Sequence, residues 1–210
     1  MICIVCKHNK AVVFTKIKQK RYWKCDECKS IFLDKKFYLS PEDEHNHYLS
    51  HNNDINDEGY REFLSRLVHP LLKKLKKNSN GLDYGCGPGP ALSQMLEQKG
   101  HKMNIYDPFF YPLKENLSIK YDFISCSESV EHFHNPFEEF LKFNELVVKN
   151  GIIGLMTNFY TEERLFENWY YVRDPTHVVF YCKETIEYIA KIFNWKIEIL
   201  DKNIAILKKN

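Results

Sequence analysis

The chain predicts an α/β protein: a doubly wound, mostly parallel sheet ending in an antiparallel hairpin, with a small metal-stapled module in front. Three observations carry that expectation. From Asn80 onward, short apolar runs alternate with helix-periodic segments, the pattern of a parallel sheet covered on both faces. A glycine loop, Asp83-Tyr84-Gly85-Cys86-Gly87-Pro88-Gly89, lies between the first such run and the first such helix. Two C-x2-C pairs, Cys3/Cys6 and Cys25/Cys28, stand at the N-terminal end.

Length and composition bound the answer. A chain of 210 residues that is 44% apolar can bury one ordinary core and carry a small accessory module. No run approaches the ~18 uncharged apolar residues of a membrane span. The opening MICIVCKHNK lacks the basic start and apolar core of a secretory signal, so a cytoplasmic protein is expected. Seven cysteines, an odd number with isolated members, argue for a reducing compartment. The net charge of +2 hides an asymmetry: residues 1–40 hold ten Lys/Arg and three Asp/Glu (net +7), the remainder twenty and twenty-five (net −5). A basic first module fits an anionic partner or simply a lysine-rich, solvated surface.

In the first module, eighteen residues separate the two pairs, a four-cysteine zinc spacing. Two residues between thiolates let a tight knuckle present both sulfurs to one tetrahedral ion. Ala11–Ile17 and Arg21–Trp23 read as a hairpin between the knuckles. So short a module cannot fold on apolar burial alone, and four thiolates leave no open position, so Cys3, Cys6, Cys25 and Cys28 predict a structural zinc. His8 is the substitute ligand to consider. The module resembles a zinc ribbon.

Ser40–Glu58 reads as a polar surface linker with incidental histidines, a metal site at His45, His47 and His51 being the alternative. Tyr60, Phe63, Leu64, Leu67, Val68, Leu71, Leu72 and Leu75 then recur at helical spacing, with a kink expected near Pro70. The body follows: strands at Leu82–Tyr84, Lys102–Tyr106, Tyr121–Cys126 and Gly151–Met156, helices at Ala91–Lys99, Phe137–Val148 and Glu184–Phe193. Trp195–Leu200 and Ile204–Leu207 are too close for a crossover and predict an antiparallel hairpin at the sheet edge. The expected domains are 1–40 (zinc ribbon), 41–79 (linker and amphipathic helix) and 80–210 (cofactor-binding body).

The glycine loop falls at a strand's carboxyl end, where open α/β sheets bind ligands. Pro90 stands where a dinucleotide fingerprint would want glycine, and no G-K-[ST] follows, so neither a nicotinamide nor an ATP site is expected. Asp83-x-Gly85-x-Gly87-x-Gly89 instead resembles the first motif of class I S-adenosylmethionine-dependent methyltransferases, whose sheet is Rossmann-like. The resemblance runs from Asn80 to Leu207. It implies that Asp83 faces the methionine end of S-adenosylmethionine and that Asp107, after the second strand, accepts hydrogen bonds from the ribose. It further implies that Pro108 borders the adenine and that Ser127 borders the cofactor. Only about fifteen residues separate Tyr106 from Tyr121, so one helix and strand usual in the family are missing or reduced to a loop.

Glu128-x-x-Glu131-His132 follows the third strand. It resembles the E-x-x-E-H of ubiquinone-pathway O-methyltransferases, which implies a divalent cation such as magnesium activating an acceptor hydroxyl. His132 as a general base oriented by Glu131 is the second reading, and a helix-start decoration the third. His134 is expected at the surface. His177, in Asp174-Pro175-Thr176-His177, is the second catalytic candidate. It lies in an aromatic insertion whose Trp169, Tyr170, Tyr171, Phe180 and Tyr181 either stack on a planar substrate or pack as a core. Cys86 and Cys126 flank the expected pocket.

The expected activity is methyl transfer to oxygen or carbon of a small-molecule acceptor. The alternatives are an RNA methyltransferase that grips RNA with the basic ribbon, because some ribosomal RNA guanine methyltransferases carry such a ribbon, and a non-catalytic zinc-ribbon adaptor. Zinc-binding N-terminal segments also occur in sugar C-methyltransferases, which are considerably longer chains.

Overall fold

Two sheets share one chain. The structure, a computed structural model, describes residues 1–50, 53–163 and 165–210. The smaller sheet begins with the hairpin β1 (Ala11–Ile17) and β2 (Lys20–Cys25), turned through Lys18 at φ +54, and continues into β3 (Ile31–Leu33). Helix α1 (Pro41–Leu49) follows, inside the stretch expected to be linker. Its start obeys ordinary capping chemistry: the Ser40 hydroxyl accepts the Asp43 N–H at 3.1 Å, Pro41 is pre-set for the first turn, and Glu42, Asp43 and Glu44 complement the helix dipole.

Helix α2 (Glu58–Leu72), capped by Asp57, runs through Pro70 and buries Leu64, Leu67, Val68 and Leu71. Then come β4 (Asn80–Tyr84), α3 (Ala91–Glu97), β5 (Lys102–Tyr106), β6 (Tyr121–Ser127), α4 (Pro136–Leu146) and β7 (Val147–Met156). The chain closes with β8 (Val179–Phe180), α5 (Lys183–Ile192), β9 (Trp195–Asp201) and β10 (Ile204–Lys209). The large sheet has the order β5-β4-β6-β7-β10-β9, parallel from β5 to β7, with β10 antiparallel to both neighbours. The expected hairpin therefore ends the sheet, with β9 at the edge. Between β5 and β6 the chain makes only a 3-10 turn at Lys114–Ser118, and no strand intervenes.

Two apolar clusters cover the two faces. Helices α2 and α3 pack Leu67, Leu71, Leu92 and Leu96 on one side, against Phe123, Ile152 and Ile206. Helices α4 and α5 supply Phe140, Phe143, Ile186 and Ile189 on the other. The sheet is thus doubly wound, as the alternation predicts.

Strand β8 leaves the large sheet and pairs antiparallel with β3, giving the small sheet the order β1-β2-β3-β8. A two-residue strand has no periodicity to read, so this junction was invisible to pattern analysis. Tyr22, Phe32, Phe166 and Phe180 are buried along it. No described helix is long and apolar enough to cross a membrane.

Candidate functional site

A cavity of about 840 Å³ opens beyond the carboxyl ends of β4, β5 and β6. Its floor is the glycine loop. Gly85 has φ +73, and a Cβ there would lie 1.9 Å from the Ser129 hydroxyl. A Cβ on Gly89 would meet the Asn53 carbonyl at 1.8 Å, because the segment leading into α2 crosses directly over the loop. Asp107 ties the loop down: one carboxylate oxygen accepts the Gly87 N–H at 3.0 Å, the other those of Phe109 (2.9 Å) and Phe110 (3.1 Å). Gly85, Gly87, Asp107, Pro108 and Ser127 all line the cavity, and the Ser127 hydroxyl has no partner among the described residues.

Asp83 and Gly89 are not in the lining. Asp83 is buried beneath the loop and accepts the Ser125 hydroxyl at 3.0 Å. Burial pushes its carboxyl up to about 7, partly offset by that hydrogen bond.

The opposite wall is built from the turn after β6 and the insertion between β7 and α5. Glu128 sits in left-handed backbone (φ +44) as the chain leaves β6, a conformation that costs a non-glycine residue of order 1–3 kcal/mol. Glu131 is fully buried, and burial raises its carboxyl to about 7 against the lowering effect of the Tyr171 hydroxyl. Tyr171 donates to Glu131 Oε1 and lies 3.0 Å from the Thr157 hydroxyl. Glu131 Oε2 has no partner among the described residues. Burial, and then the Glu131 charge, raise Glu128 well above the usual carboxylate range.

His132 and His177 meet here, with ring centroids 4.7 Å apart. Each turns Nδ1 toward a backbone carbonyl: Thr176 at 3.2 Å for His132, Tyr171 at 2.7 Å for His177. One ligand atom from each of Glu131, His132 and His177 lies within 4.8 Å of the others. Glu128, the third member of the sequence motif, lies outside that group, with Oε2 3.4 Å from the Tyr171 hydroxyl. Asp174 holds the insertion in place, accepting the Thr176 N–H at 2.9 Å and facing His47 Nε2 at 3.3 Å. Burial opposes its ionisation, but His177 and the Thr176 hydrogen bonds hold its carboxyl at about 2.

Helix α1 closes the cavity from the ribbon side with Glu44, His47 and Tyr48. His134, expected at the surface, instead pairs with Glu44 at 2.8 Å, and Tyr48 stands edge-on to His132. His45 stacks on Phe109, while His51 lies outside the described residues. The signal for this wall was present: Ser-Pro-Glu-Asp-Glu at positions 40–44 is a helix start. Of the aromatic insertion, Trp169, Phe180 and Tyr181 are packing core, Tyr171 holds Glu131, and Tyr170 alone is exposed, at 60%. Cys86 lines the cavity with its thiol pushed up by burial, and Cys126 is enclosed behind it. Neither is prepared as a nucleophile.

At the other end of the chain, Cys3 and Cys28 Sγ are 3.6 Å apart, and Cys6 and Cys25 Sγ 3.7 Å. All four lie within 4.8 Å of one another. Those separations are far beyond a disulfide bond and match the ~3.8 Å edge of a tetrahedron with Zn–S near 2.3 Å. His8 is turned away, 3.2 Å from the Tyr188 hydroxyl.

A family model described as a methyltransferase domain matches residues 57–199. The chain belongs to that family. It is an enzyme of the methyltransferase class. A search of curated proteins finds no match. Among solved structures, the methyltransferase is similar to the 1,6-didemethyltoxoflavin-N1-methyltransferase of Burkholderia thailandensis, crystallised with its substrate and S-adenosylhomocysteine. The identity is 12% and the TM-score 0.55, over 96% of this chain and 99% of that one. A SAM-dependent methyltransferase from Archaeoglobus fulgidus aligns at 18% identity and TM-score 0.55, over 71% and 94%. Magnesium protoporphyrin IX methyltransferase from Synechocystis, with SAH bound, aligns at 14% identity and TM-score 0.52, over 84% and 97%. At these identities the likeness is one of fold, and it agrees with the strand order above.

Proposed function

We propose that the enzyme transfers the methyl group of S-adenosylmethionine to oxygen or carbon of a small-molecule acceptor. One observation carries this reading: a single cavity joins the glycine loop and Asp107 at one end to Glu131, His132 and His177 at the other. Its volume lies within the ~300–1,000 Å³ typical of small-molecule sites. The structural neighbours support the cofactor, since two of them were crystallised with S-adenosylhomocysteine, and one acts on a compact heterocycle.

In this reading Gly85 and Gly87 let the cofactor approach backbone, Asp107 turns one carboxylate oxygen to the ribose, and Pro108 and Ser127 border the ligand. Asp83 acts from beneath, fixing the loop through Ser125. The acceptor lies against the histidine wall, where His132 or His177 receives or orients its proton. The attacking atom takes the methyl group in line, and the sulfonium becomes a neutral thioether.

The four cysteines hold a structural zinc, supported by their spacing and by the absence of any open position in the set. An RNA acceptor has less support: four of the ten basic residues of the first module, Lys7, Lys10, Arg21 and Lys24, each face a carboxylate within 4.0 Å.

Calorimetry with S-adenosylhomocysteine tests the cofactor half. The native protein is expected to bind, and Asp107→Asn, which keeps one acceptor oxygen for the Phe109 and Phe110 amides, is expected to bind roughly 10-fold or more weakly. Absence of binding in the native protein would refute the proposal.

A further inference from the structure

The Glu131, His132 and His177 cluster has the form of a metal site whose donors differ from those the sequence motif suggests. A backbone carbonyl can only accept, so Nδ1 of His132 facing Thr176 O and Nδ1 of His177 facing Tyr171 O are both protonated. In the neutral ring the lone pair then belongs to Nε2, which in His177 faces Asp174 Oδ2 at 3.8 Å, beyond hydrogen-bond distance. An N–H donated to a carbonyl is the usual outer partner of a metal-bound imidazole, because it fixes the tautomer and raises the basicity of the other nitrogen. Glu131 is arranged in the same way. One carboxylate oxygen is held by Tyr171; the second is fully buried and meets no donor at good hydrogen-bond geometry among the described residues, although the Thr157 hydroxyl and the Glu131 amide also stabilise the carboxylate. A buried carboxylate oxygen left without a donor is costly unless something outside the described contacts satisfies it. One ligand atom from each of the three residues lies within 4.8 Å of the other two, a spacing that small side-chain movements would close onto a single ion with bonds near 2.0–2.2 Å.

We infer that these three residues bind one divalent transition-metal ion at the acceptor end of the cavity. Two imidazoles and one carboxylate suit zinc, iron(II), cobalt or manganese; magnesium prefers an all-oxygen, largely hydrated shell. Three protein ligands leave positions open toward the cavity, the arrangement of a catalytic site and the opposite of the closed four-cysteine set. The inference rests on the function proposed above and replaces its proton acceptor: with both Nε2 atoms on the ion the histidines position the acceptor. The ion would take the acceptor's oxygen and lower the pKa of its O–H, the proton leaving to water.

The test needs neither cofactor nor acceptor. Protein already carrying one zinc per chain in its cysteines is titrated with cobalt(II) and followed by visible absorption. The expected result is one further ion per chain, with ligand-field bands and no thiolate charge-transfer bands. His177→Ala and Glu131→Gln should each weaken binding by about 100-fold or more, and Tyr171→Phe, which removes the hydroxyl that holds Glu131 and also meets Thr157 and Glu128, by roughly 10- to 100-fold. His134→Ala, on the Glu44 pair outside the cluster, should leave it unchanged. Magnesium in excess should not compete. Calorimetry with S-adenosylhomocysteine on each variant checks that the cofactor half is intact, so loss of the metal reading and loss of the methyltransferase reading give different results. No cobalt spectrum in the native protein, only thiolate bands, or bands that survive both His177→Ala and Glu131→Gln would overturn the inference.

Discussion

Removing the zinc proposed for the cysteines should loosen the wall proposed for the acceptor, which is far away in sequence but adjacent in hydrogen bonding. The Cys25 N–H bonds to Ser30 O at 2.9 Å, so the second knuckle sets the start of β3. From there Leu33 N–H reaches Val178 O, and Val178 N–H reaches Glu131 O, each at 2.9 Å. Three aromatic contacts close the seam: Tyr22 with Phe166 (5.2 Å), Tyr22 with Phe180 (5.9 Å) and Phe14 with Phe166 (5.6 Å), all edge-on. At about 0.5–1.5 kcal/mol each beyond area burial, these contacts stabilise the closed seam by roughly 1.5–4.5 kcal/mol. With 1.4 kcal/mol per factor of ten, chelation or Cys28→Ser should raise the opening of β8 by about 10- to 1,000-fold. Hydrogen exchange at Val178, Val179 and Phe180 reads this directly, with the amides of β4 and β6 as the unchanged reference. If metal analysis verifies zinc loss and those three amides keep their protection, the claim that the ribbon supports the acceptor wall fails.

Two further perturbations probe the cofactor loop. Gly85→Ala places a β-carbon in left-handed backbone and 1.9 Å from Ser129 Oγ; a destabilisation of about 2–4 kcal/mol is expected, read as a lower urea midpoint together with lost S-adenosylhomocysteine binding. The second concerns Asp83, whose folded pKa of about 7 stands above the ordinary value of 3.8. The folded state therefore binds the extra proton between those values, and stability is highest below the unfolded pKa and declines as pH rises through the folded one. Between about pH 5 and about pH 8 the native protein should lose roughly 2–3 kcal/mol that Asp83→Asn does not lose. Urea titrations of both proteins at the two pH values would show the gap; a gap independent of pH removes burial as the cause.

The large sheet was legible because its strands and helices satisfy local rules and the global fold together. Leu82–Tyr84, Lys102–Tyr106 and Tyr121–Cys126 appear as strands with at most a residue or two added at either end. The largest boundary error lies at Val147 and Val148, read as the end of a helix and found in β7. Both are β-branched, and Asn150 at φ +63 bends the strand just before Gly151, so the apolar stripe of α4 runs into the strand with no punctuation between them. The cysteine spacing was equally legible, since a knuckle is a local structure.

The acceptor side was only half legible, for a reason that follows from how it is built. Glu131 and His132 could be singled out from a short motif, but what makes them a site comes from two other stretches. His177 and Tyr171 arrive from an insertion whose only strand is two residues long, and Tyr48 arrives from a helix hidden in a polar segment. None of these is linked to Glu131 by period or spacing; the link is a set of hydrogen bonds across forty or more residues, Tyr171 to Glu131 and Thr176 to His132. The same fact explains why Glu128 stands apart from Glu131 and His132, although it too lines the cavity. Sequence proximity grouped it with Glu131, yet the turn after β6 carries it to the Tyr171 hydroxyl, outside the group that His177 completes. A motif names the residues of one strand tip. The second half of the proposed acceptor site is delivered by whatever the cysteine module holds against that tip, and β3 pairing with β8 is the contact that does so.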